Sequence, residues 1–422
     1  MKATYRRAVL IGLLMSLACP LVMADRQEDV TVFHWWVSDG EHASIEVIQR
    51  YIEARGIHWR DRAIAGSGTA RFGDVLKAAV EAGEPPMASQ VIGYDIHYWA
   101  SRGELVNLDD IAREQEWDEV VPYGIQSLSK YDGHWYAAPI NTHSTNWLWF
   151  NGNLFRRLGG VAPDTWEDLL SMLEEARKMD IVPLAIGQEA WEHTLLFEAV
   201  AAGAGGAEFY RKAFLELDPT ALDEELLLTI FRRMSQLREY LDEDFSGRTW
   251  NEATQLVLSG DALLQVQGSW VDGEFSYHGY IPGQDYACFR FPDTQGMFLF
   301  NSDQYMLFKD GPGNDETRRE FVHTLMSIDL QRDVNISSGA APARVDVPRD
   351  DFNLCGRQAI SNMRSTNMRR TLMGSIAMGN ANPPEVKTSI YRVISDHLYG
   401  RIDDEEAVYR LRETIMKHSA GS

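Results

Sequence analysis

Three apolar runs near the start of the chain, VTVFH (residues 30–34), RAIAG (62–66) and ASQVIG (88–93), are separated by two stretches with helical periodicity. That alternation constrains the fold more than any other feature. The first helical stretch, 42–55, places Ile45, Ile48 and Ile52 on one face and stops at Gly56. The second runs from about Gly73 to Ala82 and is closed by Gly83 and the Pro85-Pro86 pair. Strand–helix–strand units this short predict a parallel sheet with right-handed crossovers, hence an α/β protein. Where the first strand gives way to its helix stand Trp35 and Trp36, followed by the turn and cap residues Ser38, Asp39 and Gly40. Side chains alternate between faces along a strand, so both indoles fill one layer only if the strand ends there. The mouth of such a junction is where open α/β sheets bind ligands. A strand-end aromatic packed into the core is the competing reading.

The residues ahead of this unit form a leader. Lys2, Arg6 and Arg7 precede a short apolar run over 8–18, and Val22-Met23-Ala24 is a small-residue cleavage site. The expectation is export, with cleavage after Ala24. Cys19 in SLAC offers a lipoprotein alternative, which Ser16, Leu17 and Pro20 fit poorly. The chain has 422 residues, too many for one compact core, so two domains are expected. Its formal charge of −22 argues against nucleic acid and anionic membrane surfaces as partners. Beyond the leader only Cys288 and Cys355 remain, an even pair that suggests a disulfide in an exported protein, the alternative being two buried thiols.

The segment YDGHWYAAPINTHSTNWLWFN (131–151) reads as a hairpin turn and strands interrupted by Pro139, where the chain passes from one domain to the other. From Pro163 to about Gly260 the pattern is mostly helical. FLFNSDQYMLFK (298–309) returns to strand, with Asn301 and Asp303 on one face. Residues 314–328 read as helix and SSGAAPAR (337–344) as loop. Two helices, near 385–398 and 403–417, close the chain.

Enzyme signatures are missing: no nucleophile elbow, no zinc-protease motif, no phosphate loop. The scattered histidines lack metal-ligand spacing, so neither metal nor cofactor is expected. His134 and His143 flank the domain crossing and could line a cleft. Tryptophans recur beside loops and short strands, at Trp35, Trp36, Trp147, Trp149, Trp191 and Trp270. Indole faces stack on sugar rings, while carboxylates and carboxamides take hydroxyls. Asn301 and Asp303 supply such groups. These residues suggest a carbohydrate clamp.

Collinear segments carry a resemblance: VTVFHWW, YDGHWYAAPINTHSTNWLWFN, PDTWEDLL, VPLAIG, GRTWNEAT, LLQVQGSW, PGQDYACFRFP, FLFNSDQYMLF, APARVDV and NPPEVK. Over nearly the whole chain after the leader, the sequence resembles the periplasmic sugar-binding proteins of ABC importers, nearest the Gram-negative glucose-binding branch. The resemblance implies a two-lobe, class II, maltose-binding-protein-like fold with a multi-strand hinge and a ligand cleft between the lobes. The expected lobes are 25–137 with 299–341, and 138–298 with 342–422. It implies a non-catalytic, monomeric receptor with an ABC permease as partner. A sensor subunit feeding a chemoreceptor or histidine kinase, and a glycosidase, are the alternatives. Cys288 stands where this branch has a cysteine, which favours the disulfide. Trp35 and Trp36 match cleft positions against the sugar. Glu41, Asn301 and Asp303 match hydroxyl-contacting positions, and Gln90, His143 and Trp270 match the cleft wall. Three positions depart from the branch. Ile92 and Ser338 replace lysines, and Met378 replaces a histidine. Losing three strong donors while keeping Glu41 and Asp303 makes the cleft more negative and implies a ligand other than glucose held in the family manner, either a larger or amphiphilic glycoside or a cationic or zwitterionic solute; the alternative is that Arg71, Arg344 or Asn380 restores the lost donors and keeps a plain sugar.

Overall fold

The computed structural model describes residues 28–65 and 70–419. The leader, Cys19 and Gly66 at the end of the RAIAG run lie outside the described residues. In chain order the strands are β1 (Glu28–His34), β2 (Ile57–Ala63), β3 (Ala88–Ile92), a small hairpin of β4 (Lys130–Tyr131) and β5 (His134–Trp135), then β6 (Ala137–Pro139), β7 (Asn141–Ser144), β8 (Trp147–Asn151), β9 (Val182–Ala185), β10 (Ala262–Gln267), β11 (Tyr286–Arg290), β12 (Phe298–Asn301), β13 (Asp303–Leu307), β14 (Ala341–Pro342) and β15 (Leu372–Gly374). Five helices matter below: α1 (Asp39–Glu53), α2 (Ala190–Tyr210), α3 (Trp270–Tyr277), α4 (Ile328–Ser338) and α5 (Leu354–Arg369).

The strands sort into three main sheets. The first has the order β2-β1-β3-β13-β6, with β1 parallel to β2 and β3, and β13 antiparallel to its neighbours. The predicted βαβ units are therefore its parallel half. A second sheet, β11-β8-β10-β9, is built from the later segments. The third, β14-β7-β12-β15, takes β7 and β12 from either side of the second sheet's segments and β14 and β15 from later in the chain. Twice the chain steps between the first and third sheets within one residue: from β6 to β7 through Ile140, and back from β12 to β13 through Ser302. The two steps bond to each other. Ile140 N–H donates to Asp303 O (2.9 Å), and Ser302 Oγ donates to Asn141 O (2.7 Å). Pro139 ends β6, the edge strand of its sheet, where a missing N–H is tolerated.

Several boundaries move. Helix α1 begins at Asp39, not 42, because Ser38 and Glu41 form a capping box: the Ser38 side chain accepts from Glu41 N–H while Glu41 reaches back to Ser38 N–H. The predicted 314–328 helix is two helices, Asp315–Leu325 and α4, and Ser337-Ser338 form the last turn of α4 rather than a loop. Gly339, at φ 72°, ends α4 in the left-handed conformation. Asn301 and Asp303 lie not on one strand but on two, in different sheets. Cys288 on β11 and Cys355 on α5 are joined by a disulfide.

Trp147 and Trp149 are fully buried and stacked with centroids 5.9 Å apart, so they are core. His134 is exposed and paired with Asp109 (2.6 Å), outside the bonded network described below. Among the described residues no cluster of acids, histidines and cysteines could hold a metal, and no helix is long and apolar enough to cross a membrane.

Candidate functional site

The predicted residues converge where β1 and β3 end and the chain steps between sheets. Asp303 is the hub. Its Oδ1 accepts from Gln90 Nε2 (2.8 Å) and its Oδ2 from Asn141 Nδ2 (2.8 Å). Gln90 in turn accepts from Trp35 N–H (3.1 Å). Asn141 fixes the far side. Its Oδ1 accepts from Asp303 N–H (2.7 Å), so Nδ2 faces both Asp303 and His143 Nε2 (3.1 Å). An amide nitrogen only donates, so His143 Nε2 is the bare nitrogen and Nδ1 carries the proton, donated to Ser269 Oγ (2.9 Å). Burial drives the His143 pKa down to about 3, so the ring is neutral. Burial lifts the Asp303 carboxyl to about 6, with the Asn141 and Gln90 amides pulling the other way. Each Asp303 oxygen holds one amide donor, leaving each a further lone pair for a ligand donor.

Aromatic side chains flank this chain of bonds. Trp35 meets Phe72 edge-on (4.9 Å), and Trp36 is buried beside it. Half-buried Trp270 stands edge-on to His143 (5.3 Å) and to Trp191 (6.0 Å). Asn301 pairs across the sheet with His143 and accepts from Asn380 Nδ2 (2.9 Å). Ile92 lies opposite Asp303 in the β3–β13 register.

Glu41 and Ser338 sit apart from this network, and Met378 meets it only through its carbonyl, which accepts from Asn380 Nδ2 (3.2 Å). Glu41 Oε2 accepts from Val37 and Ser38 N–H (both 3.0 Å), so one carboxylate oxygen serves the capping box. Burial, with Glu274 nearby, raises the Glu41 pKa to about 7. Glu274 on α3 reaches across to the same helix end. Its Oε1 accepts from Ser38 Oγ (2.6 Å) and Gly40 N–H (2.9 Å). The approach is close enough that a Cβ on Gly40 would stand 2.7 Å from the Gly273 and Glu274 backbone. A second such contact joins Gly93 to Gly379, where a Cβ would fall 1.9 Å from Gly379 O. Ser338 ends α4, its carbonyl against Gly273, and buried Met378 donates its N–H to Ser375 Oγ (3.1 Å). No cation has replaced the missing lysines from Arg344, which is spent on Asp346 and Met326 O. Arg71 is exposed.

Sequence reasoning missed Asn141, Ser269 and Glu274; Asn380, a candidate for restoring a lost donor, is bonded to Asn301. Asn141 carried one signal, its place just past Pro139 at the domain crossing.

A model of the bacterial extracellular solute-binding protein family matches residues 42–331. The chain belongs to that family. This solute-binding protein is 42% identical over 392 residues, 93% of each chain, to a probable sugar-binding periplasmic protein of Brucella suis. It is 43% identical over 384 residues to one of Rhizobium meliloti, covering 91% of this chain and 92% of that one. Among solved structures, a chitin oligosaccharide binding protein superposes with a TM-score of 0.77 at 21% identity, over 93% of this chain and 99% of the other. A raffinose-bound solute-binding protein gives 0.73 at 16% identity, over 92% and 98%. The solute-binding protein thus has the two-lobe α/β fold read from its sequence, and as a binding protein it is not an enzyme.

Proposed function

We propose that the protein is a periplasmic receptor that captures a carbohydrate-type solute between its lobes and delivers it to the permease of an ABC importer. The proposed lobes are 25–137 with 299–341 and 138–298 with 342–422, closing about the steps at Ile140 and Ser302. The observation that carries this reading is the buried chain Trp35–Gln90–Asp303–Asn141–His143, with indoles at both ends and lone pairs left on Asp303. It is a fixed, neutral-to-acidic acceptor set, suited to hydroxyl donors, beside faces suited to a sugar ring. The relatives named sugar-binding support it.

The proposed ligand set is Trp35, Trp36, Glu41, Gln90, Ile92, His143, Trp270, Asn301, Asp303, Ser338 and Met378. With Ile92, Ser338 and Met378 buried and Arg344 spent elsewhere, the ligand is a glycoside or related polar solute with apolar faces, not glucose held by charged donors. Export and cleavage after Ala24 place the mature, monomeric protein in the periplasm.

A thermal-shift screen of the mature protein against hexoses, disaccharides, glycosides, polyols and betaines tests this, since a bound ligand raises the midpoint by mass action. The expected result is a shift from a glycoside and none from glucose, with Trp35→Ala abolishing it. A large glucose shift would overturn the ligand class. Absence of any shift, together with turnover of a chromogenic glycoside, would overturn the receptor assignment.

A further inference from the structure

The turn that follows β15, residues 375–381, holds Met378 and Asn380, and it is fixed by a buried acid. Glu198 on α2 is fully buried, and its partners are neutral donors. Its Oε1 accepts from Thr145 Oγ1 (2.7 Å) and Ser375 Oγ (2.7 Å), and its Oε2 accepts from Ala377 N–H (3.1 Å). Tyr210, the last residue of α2, completes the cradle. Its hydroxyl accepts from Ile376 N–H (3.3 Å) and lies 3.1 Å from Gly374 O and 3.3 Å from Glu198 Oε2. Four successive residues, 374–377, are thus tied to one helix.

The next three residues bond elsewhere. Met378 N–H donates to Ser375 Oγ (3.1 Å), the hydroxyl that Glu198 orients. Gly379 O accepts from Tyr94 N–H (3.3 Å), and Asn380 Nδ2 donates to Asn301 Oδ1 (2.9 Å). Tyr94 and Asn301 both belong to the other proposed lobe. A serine hydroxyl has one proton. With that proton on Glu198, Ser375 Oγ presents a lone pair to Met378 N–H, so the carboxylate sets the direction of the bond that seats Met378. Core packing alone does not account for Glu198. A buried carboxylate without a counter-charge is costly, and an apolar side chain of similar volume would fill the space.

We propose that Glu198 is a positioning residue for ligand recognition: it touches no solute, but it sets the place of Met378 and with it the preference for a solute with an apolar face. This rests on the proposed ligand set, in which Met378 meets the solute.

Two measurements on the mature protein test it. Backbone amide exchange of the unliganded protein compares wild type with Glu198→Met and Glu198→Gln. The first keeps the length and removes both acceptors. In the second, the oxygen still takes Ala377 N–H, and the two amide hydrogens face hydroxyls that can turn and accept. The expected result is exchange about tenfold faster at residues 377–380 in Glu198→Met, with β8 and β10 unchanged, and wild-type protection in Glu198→Gln. Ser375→Ala, a smaller change, carries the same expectation where Glu198→Met does not fold. Calorimetry with octyl and methyl β-D-glucopyranoside, the first below its micelle concentration, then reads recognition. The octyl-to-methyl affinity ratio should fall roughly threefold in Glu198→Met and in Met378→Ala, and no further in the double variant, the mark of a coupled pair. Exchange that is unchanged in the turn or rises equally in β8 and β10, or a ratio that holds while both affinities fall together, overturns the proposal. If wild type binds neither glucoside, the ligand-class reading has failed instead, and the exchange result alone decides whether Glu198 positions the turn.

Discussion

Asp303 illustrates what a single residue decides in this cleft. Its two oxygens are acceptors for two amide nitrogens, and those nitrogens can only donate. In Asp303→Asn the new NH₂ must face either Gln90 Nε2 or Asn141 Nδ2, setting donor against donor. An unsatisfied buried polar group costs about 1–3 kcal/mol. The expected outcome is a loss of that size in chemical denaturation, with ligand affinity down more than tenfold by calorimetry. Much of this site was legible from the residues: Trp35, Gln90, Asn301 and Asp303 came from motif resemblance, and the structure gathers them. Asn141 was not legible. Nothing in the pattern of apolar residues tells that two segments separated by 160 positions exchange bonds as each crosses between sheets.

Among the elements, the contact of α3 with the start of α1 is the most consequential. Glu274 is a cap supplied from another element: it satisfies one orphan donor of α1 at Gly40 and takes the Ser38 hydroxyl. In the proposed division α1 belongs to one lobe and α3 to the other, so the cap forms only when they meet. Removing a cap costs typically about 1 kcal/mol. Glu274→Ala should therefore weaken ligand binding roughly five- to tenfold, with solution scattering showing a more open form and the melting point of the unliganded protein little changed. The local half of this contact was readable, since Ser38-x-x-Glu41 is a capping-box pattern. The distant half was not, because α3 is too short for its periodicity to place Glu274. The end of α4 was misread for a related reason: Gly339 and Pro342 suggest a loop, but the glycine is a helix stop and the serines before it still belong to the helix.

The whole molecule carries buried acids that set its response to pH. Burial raises Glu41 to about 7 and Glu192 to about 8. A carboxyl with a folded pKa above its unfolded value stabilises most at low pH, and that contribution is lost as pH rises through the folded pKa. His143 and His193, lowered by burial to about 3 and 4, work in the opposite sense. Their contribution is complete above the ordinary histidine pKa of about 6.5. Between pH 6.5 and 8.5 the acids therefore dominate, and the melting temperature should fall as pH rises. Glu192→Gln should flatten that slope in differential scanning calorimetry. At this scale the sequence reading was most complete, because parallel βαβ periodicity and chain length are global signals that survive local errors in element ends.

The contacts at Gly40–Gly273 and Gly93–Gly379 are seams where backbone meets backbone, with the Glu274 carboxylate beside the first and Lys387 beside the second. A methyl group placed there works as a shim. In the proposed division it holds the lobes a fraction apart whatever the cleft contains, and taxes every ligand by the same factor. Gly40→Ala should lower affinity for all bound solutes in parallel, leaving the ratio between any two unchanged in paired calorimetric titrations. Strength of capture and choice of cargo are then separate dials on this molecule, one turned at the seams and the other at the indoles and amides of the cleft.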